Sequence, residues 1–114
     1  MPQYMLFMRG NQSGFQSLTT EEQQQVINTH RDFAGTLHSR QAMVEGNGFA
    51  FDTTLLISNN GTIEQTASPY ANTEQQPSGF YIIECDSMEQ AVEYAKQCPA
   101  LSHGESVEVI RLGH

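Results

Sequence analysis

The sequence predicts a single α+β domain in which two helices cover one face of an antiparallel β-sheet. Segments with strand and helix patterns alternate in the order β-α-β-β-α-β, and an Asn-Gly pair marks a hairpin near the middle. The 114 residues are enough for one modest hydrophobic core. We therefore expect residues 1–114 to form one domain.

The first strand is predicted at Tyr4–Met8, where apolar side chains occupy both alternating faces. A strand of this kind is typically buried on both sides. After a loop, Thr19 and Glu22 have the spacing of a capping box. The helix that follows is expected to run to about Arg40. Its apolar stripe consists of Val26, Ile27, His30, Phe33, Ala34 and Leu37.

The middle of the chain is predicted as a flexible corner followed by a hairpin. The glycines of Glu45–Gly48 indicate the corner. Residues 53–58 and 62–65 are predicted as two strands, since Asn60 and Gly61 between them suit the positive φ angles of a type I′ turn. Residues 66–78 are expected to form an ordered loop.

The last third is predicted to contain a strand, a capped helix and a closing strand. Residues 79–85 form a second strand that is apolar on both faces. Ser87 and Gln90 give another capping-box pattern, and the helix is expected to end before Pro99. The closing strand is expected at residues 107–112. The side of this helix expected to be buried consists of Met88, Ala91, Val92 and Ala95.

Two strands without a polar face need cover on both sides of the sheet. Two helices can cover one side, and in a chain of this length the expected cover for the other side is a second copy of the chain. The pattern therefore predicts a homodimer, with a higher oligomer left open.

Composition excludes several classes of partner and site. The formal charge of −8, with five scattered Lys and Arg residues, argues against a nucleic-acid partner and against an anionic membrane surface. Cys85 and Cys98 match no metal-binding spacing and are expected to be free thiols in a reducing compartment. The first residues lack a signal-peptide pattern and no apolar run is long enough to span a membrane, so a cytoplasmic protein is expected.

Five segments together resemble one known family: Tyr4–Leu6, Leu18–Glu22, Gly46–Phe49, Gly79–Pro99 and Val107–Val109. The chain is similar over nearly its whole length to the YCII-related (YciI-like, DGPF) domain. The resemblance implies a ferredoxin-like βαββαβ fold and assembly into a dimeric α/β barrel, which is the homodimer that the strand pattern also predicts.

The chain departs from that family where relatives carry their proposed chemistry. The DGPF branch is named for Asp-Gly-Pro-Phe after the hairpin, and here these positions read Ala67-Ser68-Pro69-Tyr70. In relatives the proposed catalytic dyad is a histidine with an aspartate, whereas Ala67 cannot orient a histidine. The usual arginine of the closing strand is displaced to Arg111, with Ile110 in its place. These departures favour a protein that is not an enzyme.

His30 is the candidate catalytic residue, because it lies on the apolar stripe of the first helix and can act as an acid or base. The alternative is a core histidine with a satisfied hydrogen bond. No cofactor and no metal are expected, since His103 and Glu105 form a pair without a third ligand. The predicted ligand-binding residues are His30, Pro69, Tyr70, Phe49 and Tyr81, although the aromatic ones also fit a core or an interface.

Three functions remain open at this point. The first is binding of a small neutral or cationic molecule in a cleft beside the first helix, near Pro69. The second is a cofactor-independent lyase or isomerase acting on a small cyclic substrate, with His30 as the base and Asp52 or Glu74 as its carboxylate partner. The third is a protein-interaction module associated with transcription regulation, which the resemblance suggests because DGPF relatives often accompany sigma-factor-like regulators.

Overall fold

A computed structural model describes residues 1–113, and His114 lies outside the described residues. Both predicted long helices are present, and together with the four strands of the main sheet they follow the order β-α-β-β-α-β, with the hairpin as an addition. In chain order the elements are β1 (Gln3–Arg9), α1 (Gln12–Gln16), α2 (Thr20–Ser39), β2 (Met43–Gly48), β3 (Leu55–Asn59), β4 (Thr62–Thr66), β5 (Pro77–Glu84), α3 (Met88–Ala95), a 3-10 helix (Pro99–His103) and β6 (Ser106–Arg111).

The main sheet has four antiparallel strands in the order β2-β5-β1-β6. At its centre Leu6 of β1 lies opposite Tyr81 of β5 on one side and Val109 of β6 on the other. The long helices α2 and α3 pack against the same face of this sheet through Leu37 and Ala91. The predicted α+β class with a ferredoxin-like arrangement is confirmed.

The sequence prediction was wrong about which segment forms the edge strand beside β5. Glu45–Gly48, predicted as a corner, belongs to β2, with Gly46 opposite Tyr81. Gly46 is needed in the strand because a β-carbon there would lie 2.8 Å from the Tyr81 ring. The glycines thus reflect close packing between strands, and in the sequence alone they resemble a turn.

The predicted hairpin forms, but outside the main sheet. β3 and β4 pair with each other as a separate two-stranded sheet. Asn60 and Gly61 have φ angles of 51° and 84°, as a type I′ turn requires. The turn chemistry therefore predicts the local structure correctly and gives no information on where the hairpin lies.

The helix caps were predicted with one error. Thr19 and Glu22 form the complete capping box at the start of α2. At α3 the Ser87 hydroxyl accepts from the Gln90 backbone N–H, whereas the Gln90 side chain accepts from the N–H of Asp86. Met88 was predicted to be buried, but it is 41% exposed because it begins the helix and projects beyond the sheet.

A short helix, α1, replaces the loop expected before Thr19. The Asn11 side chain accepts a hydrogen bond from the Ser13 backbone N–H and caps this helix. α1 is five residues long and has no buried residue, which explains why no apolar periodicity announces it.

The two faces of the main sheet differ in their cover. On the covered face, Tyr4, Leu6 and Met8 of β1 pack under the helices. The opposite face, which we call the open face, carries apolar side chains without a helix over them. The open face includes Met5, Phe7, Phe80, Ile82 and Ile110.

Both cysteines are free and buried. Burial raises the pKa of the Cys98 thiol to about 11 and also raises that of Cys85, so both stay protonated at neutral pH. No helix within residues 1–113 is long and apolar enough to cross a membrane.

Candidate functional site

A cavity of about 900 Å³ lies at the end of the main sheet where β1 and β2 end and β5 begins. α1, the middle of α2 and the segment 103–105 before β6 form its other walls. Most of its wall is apolar. The apolar lining consists of Met8, Phe15, Leu18, Val26, Ile27, Ala34, Met43, Phe49, Phe51 and Phe80.

Polar side chains enter this cavity from several elements. Two carboxylates and one guanidinium are among them, so the cavity carries both signs of charge with the negative sign in excess. The polar lining consists of Asn11, Gln12, His30, Arg31, Asn47, Glu74, Ser78, Tyr81, His103 and Glu105.

A short hydrogen bond between His30 and Tyr81 is the central polar contact of the cavity. The His30 Nδ1 atom lies 2.6 Å from the Tyr81 hydroxyl oxygen. The same hydroxyl lies 3.4 Å from the His30 backbone carbonyl oxygen. The two rings are nearly parallel, and Phe33 packs its ring edge against Tyr81 with 5.1 Å between centroids. These contacts hold the Tyr81 side chain in place, and its hydrogen bond to Nδ1 orients the His30 ring.

Burial determines the protonation of this pair. It lowers the pKa of His30 below its usual 6.5, and the electrostatic interaction with nearby His103 lowers it further. Burial also raises the pKa of Tyr81 well above its usual 10. At neutral pH the pair therefore consists of a neutral imidazole and a neutral phenol.

The hydrogen-bond distances indicate which tautomer of His30 is present. The Tyr81 hydroxyl has two acceptors in reach, and the 2.6 Å contact with Nδ1 is favoured over the 3.4 Å contact with the carbonyl oxygen. An imidazole that accepts at Nδ1 carries its proton on Nε2. In this tautomer the Nε2–H group of His30 can donate a hydrogen bond, and the contact with Tyr81 orients the ring.

One polar atom of the lining lacks a partner. The Ser78 Oγ atom is buried and makes no hydrogen bond within residues 1–113. A buried hydroxyl without a partner costs about 1–3 kcal/mol. Ser78 lines the cavity through its other atoms, because its Oγ atom has no accessible surface there.

The structure brings three of the five predicted ligand-binding residues together. His30, Phe49 and Tyr81 line the cavity. Pro69 and Tyr70 are outside its lining, and Tyr70 is 53% exposed. A role for these two residues in ligand binding stays a prediction.

No carboxylate within residues 1–113 forms a hydrogen bond to His30. Glu74, one of the two carboxylates considered for this position, lines the cavity, and Asp52 does not. The side-chain partner of His30 is the phenol of Tyr81. No group of three metal-binding side chains occurs in the described part of the chain.

Sequence reasoning missed several lining residues for identifiable reasons. Tyr81 was considered as an aromatic and not as the partner of His30, because 51 residues separate the two. Ser78 stands at the end of residues 66–78, which were predicted as a loop. His103 was considered for a metal, whereas it lines the cavity with His30.

Comparison with known proteins supports the fold. The curated proteins gave no match. Among solved structures, 5-chloro-2-hydroxyhydroquinone dehydrochlorinase (TftG) from Burkholderia phenoliruptrix AC1100, in complex with 2,5-dihydroxybenzoquinone, is similar with a TM-score of 0.56. The match covers 98% of this chain and 94% of that chain at 13% sequence identity, which shows a common fold.

The family assignment comes from a comparison with family models. The model of the YCII-related domain matches residues 3–112, which is nearly the whole chain. The same region contains the ferredoxin-like sheet, the helices above it and the cavity at its end. This chain belongs to the YCII-related domain family.

Proposed function

We propose that this protein binds a small molecule in the cavity that contains His30 and Tyr81. The observation that carries the proposal is the 2.6 Å hydrogen bond between the two side chains in a mostly apolar chamber. Small-molecule sites are typically apolar clefts of about 300–1,000 Å³ with a few fixed polar groups. The cavity has this size and composition.

The ligand class follows from the shape and charge of the lining. Phe49, Phe51 and Phe80 offer flat apolar contacts that suit a ring. Among the polar lining residues, His30 offers a hydrogen-bond donor to such a ring. We propose a neutral or cationic cyclic compound with oxygen or nitrogen substituents, because Glu74 and Glu105 outnumber the single cationic lining residue.

The solved structure with the same fold is consistent with this class. TftG was solved in complex with 2,5-dihydroxybenzoquinone, a flat ring with polar substituents. At 13% identity it does not define the ligand of this chain, but it makes phenols and quinones a reasonable first set of compounds.

Calorimetric titration with phenols, quinones, aromatic amines and benzoates tests the proposal. His30→Gln should weaken the best binder by about tenfold, the value of one neutral hydrogen bond. His38→Gln is the matched control, because His38 is exposed near the end of the same helix. Equal affinity of both variants would contradict a ligand site at His30.

A second candidate function is proton transfer on a cyclic substrate. A lowered pKa keeps His30 neutral at pH 7, as a general base must be. This candidate requires the other tautomer of His30, in which Nδ1–H donates to the Tyr81 oxygen, the Tyr81 hydroxyl donates to the His30 carbonyl oxygen, and the lone pair of Nε2 is free to take a proton. Turnover of a bound compound that is lost in both His30→Gln and Tyr81→Phe would support it, and binding without turnover would leave the first proposal.

We also propose that the protein is a cytoplasmic homodimer. Met5, Phe7 and Ile82 of the open face have no helix over them, and a second copy would bury them. The free thiols of Cys85 and Cys98 fit a reducing compartment. Sedimentation velocity tests the dimer. If the protein is a monomer, the homodimer proposal is wrong and a different protein partner must cover the open face.

A further inference from the structure

The hairpin from Leu55 to Thr66, which we call the arm, pairs with no other strand within residues 1–113. β3 and β4 pair with each other and with no strand of the main sheet. All five residues of β4 are exposed. An isolated two-stranded hairpin is marginally stable in water. Something that the single chain does not supply is therefore needed to hold the arm.

The arm has an apolar side that is unusual for exposed strands. The pairing register places Leu56 and Ile63 diagonally on the same side of the hairpin. Leu56 is 58% exposed and Ile63 is 66% exposed. Ile57, which points to the other side, is 42% exposed. Strands that stay in water normally carry charged residues to prevent pairing, and here Glu64 is the single charged residue of the arm.

The protein exposes more surface than a compact chain of its mass. Its accessible surface is 7602 Å², whereas a compact monomer of 12.7 kDa exposes about 6,200 Å². Its radius of gyration is 15.7 Å, compared with about 13 Å for a compact domain of this length. The excess of about 1,400 Å² is what one protomer buries in a large, permanent interface.

We infer that the arm of one protomer packs its Leu56–Ile63 side against the open face of a second copy, and that the partner's arm does the same in return. The inference rests on the proposed homodimer and adds the contact that forms it. It places two apolar surfaces of the same chain against each other, and a twofold axis makes the exchange reciprocal.

The arm also connects this contact to the cavity. Phe49 and Phe51 precede the arm, Glu74 follows it, and all three line the cavity. The Phe49 ring packs on Phe7 and Phe80 of the open face, with centroids 6.2 Å and 5.8 Å away. A partner that holds the arm therefore also holds one rim of the ligand site.

Sedimentation velocity on charged variants tests the inference. The double variant Leu56→Lys/Ile63→Lys should raise the dimer dissociation constant by at least about 100-fold, because two apolar anchors are lost. Leu101→Lys is the matched control, since Leu101 is 47% exposed on the 3-10 helix outside the arm and outside the open face. It should leave the dimer unchanged.

Ile110→Lys on the open face separates the inference from the proposed dimer. If Ile110→Lys dissociates the dimer and the arm variant does not, the protein is a homodimer and the arm inference is overturned. If the wild-type protein is a monomer, both fail. Ligand binding is measured independently through His30, so its outcome does not decide either case.

Hydrogen exchange on the wild-type protein provides a measurement without substitutions. Amides of the arm should exchange more slowly as the protein concentration rises through the dimer transition, because the partner then covers them. Exchange in the arm that is fast and independent of concentration would overturn the inference, even if a variant fails to fold.

Discussion

The covered face and the open face of the main sheet come from the same four strands and both carry apolar side chains, yet they depend on different partners. Leu6, on the covered face, is fully buried under the helices of its own chain. Met5, one residue earlier, points to the open face and stays partly exposed. The apolar pattern of a sequence therefore shows which surfaces must be covered. The number of helices decides how many of those surfaces the chain covers by itself.

The largest expected effect comes from truncating the two neighbouring residues of β1. Leu6→Ala should lower the free energy of unfolding by about 3 kcal/mol, because it opens a cavity in the core. Met5→Ala should cost about 1 kcal/mol within one chain, since Met5 is partly exposed. Urea denaturation at a low and a high protein concentration measures both variants.

The two substitutions should differ in their dependence on concentration. A dimer unfolds at higher denaturant when the protein is more concentrated. Leu6→Ala should keep this dependence, and Met5→Ala should reduce it. An equal loss in both variants at every concentration would mean that the two faces do not differ in their cover.

Tyr81→Phe tests the hydrogen bond in the cavity at the end of the sheet, where side chains from both faces meet. It should cost about 1 kcal/mol, because the His30 Nδ1 atom loses its donor. The pKa of His30 should rise slightly, since the lost bond favours the neutral ring, while burial and His103 still hold it below 6.5. Chemical denaturation and NMR titration measure the two effects. Tyr70→Phe, at an exposed position, should change neither.

Thr19→Ala tests the start of α2, the helix that covers the sheet. The substituted side chain itself lies outside both faces of the sheet. The substitution removes the capping box of α2 and should cost about 1 kcal/mol. Thr29→Ala is the control, because Thr29 is exposed within the same helix and bonds the Val26 carbonyl oxygen. If the two variants have equal stability, the cap contributes nothing.

The pH dependence should be the smallest effect. The pKa of His30 is below 6.5 in the folded protein, so below pH 6.5 the unfolded chain binds a proton more readily than the native state. Stability should therefore fall as the pH drops below 6.5 and be unaffected by His30 above it. Denaturation of wild type and His30→Gln across this range measures the effect. A profile that is the same for both proteins would contradict it.

Much of the fold could be predicted from the sequence because its determinants are local. The cap at Thr19, the turn at Asn60-Gly61 and the apolar strand at Tyr4–Met8 each act over a few residues. The edge strand β2 could not be recognised, because Gly46 and Gly48 remove the side chains that mark a strand. The reason for Gly46 is the Tyr81 ring on another strand.

The candidate site could be predicted less completely. The helical spacing identified His30 as a residue that faces the sheet, and this placement is correct. Its hydrogen bond to Tyr81 depends on how α2 crosses the sheet, and spacing along one helix does not determine that crossing. The same holds for Ser78, whose unpaired hydroxyl becomes visible when the cavity walls are assembled.

The most direct test of the His30–Tyr81 site is a long-range ¹H–¹⁵N NMR spectrum of the histidines, recorded at neutral pH and then with the best ligand from calorimetry. We expect a neutral His30 ring with its proton on Nε2, and we expect the His30 ring resonances to move when ligand is added. A His30 ring that is charged at neutral pH, or whose resonances stay in place when a bound ligand is present, would contradict it.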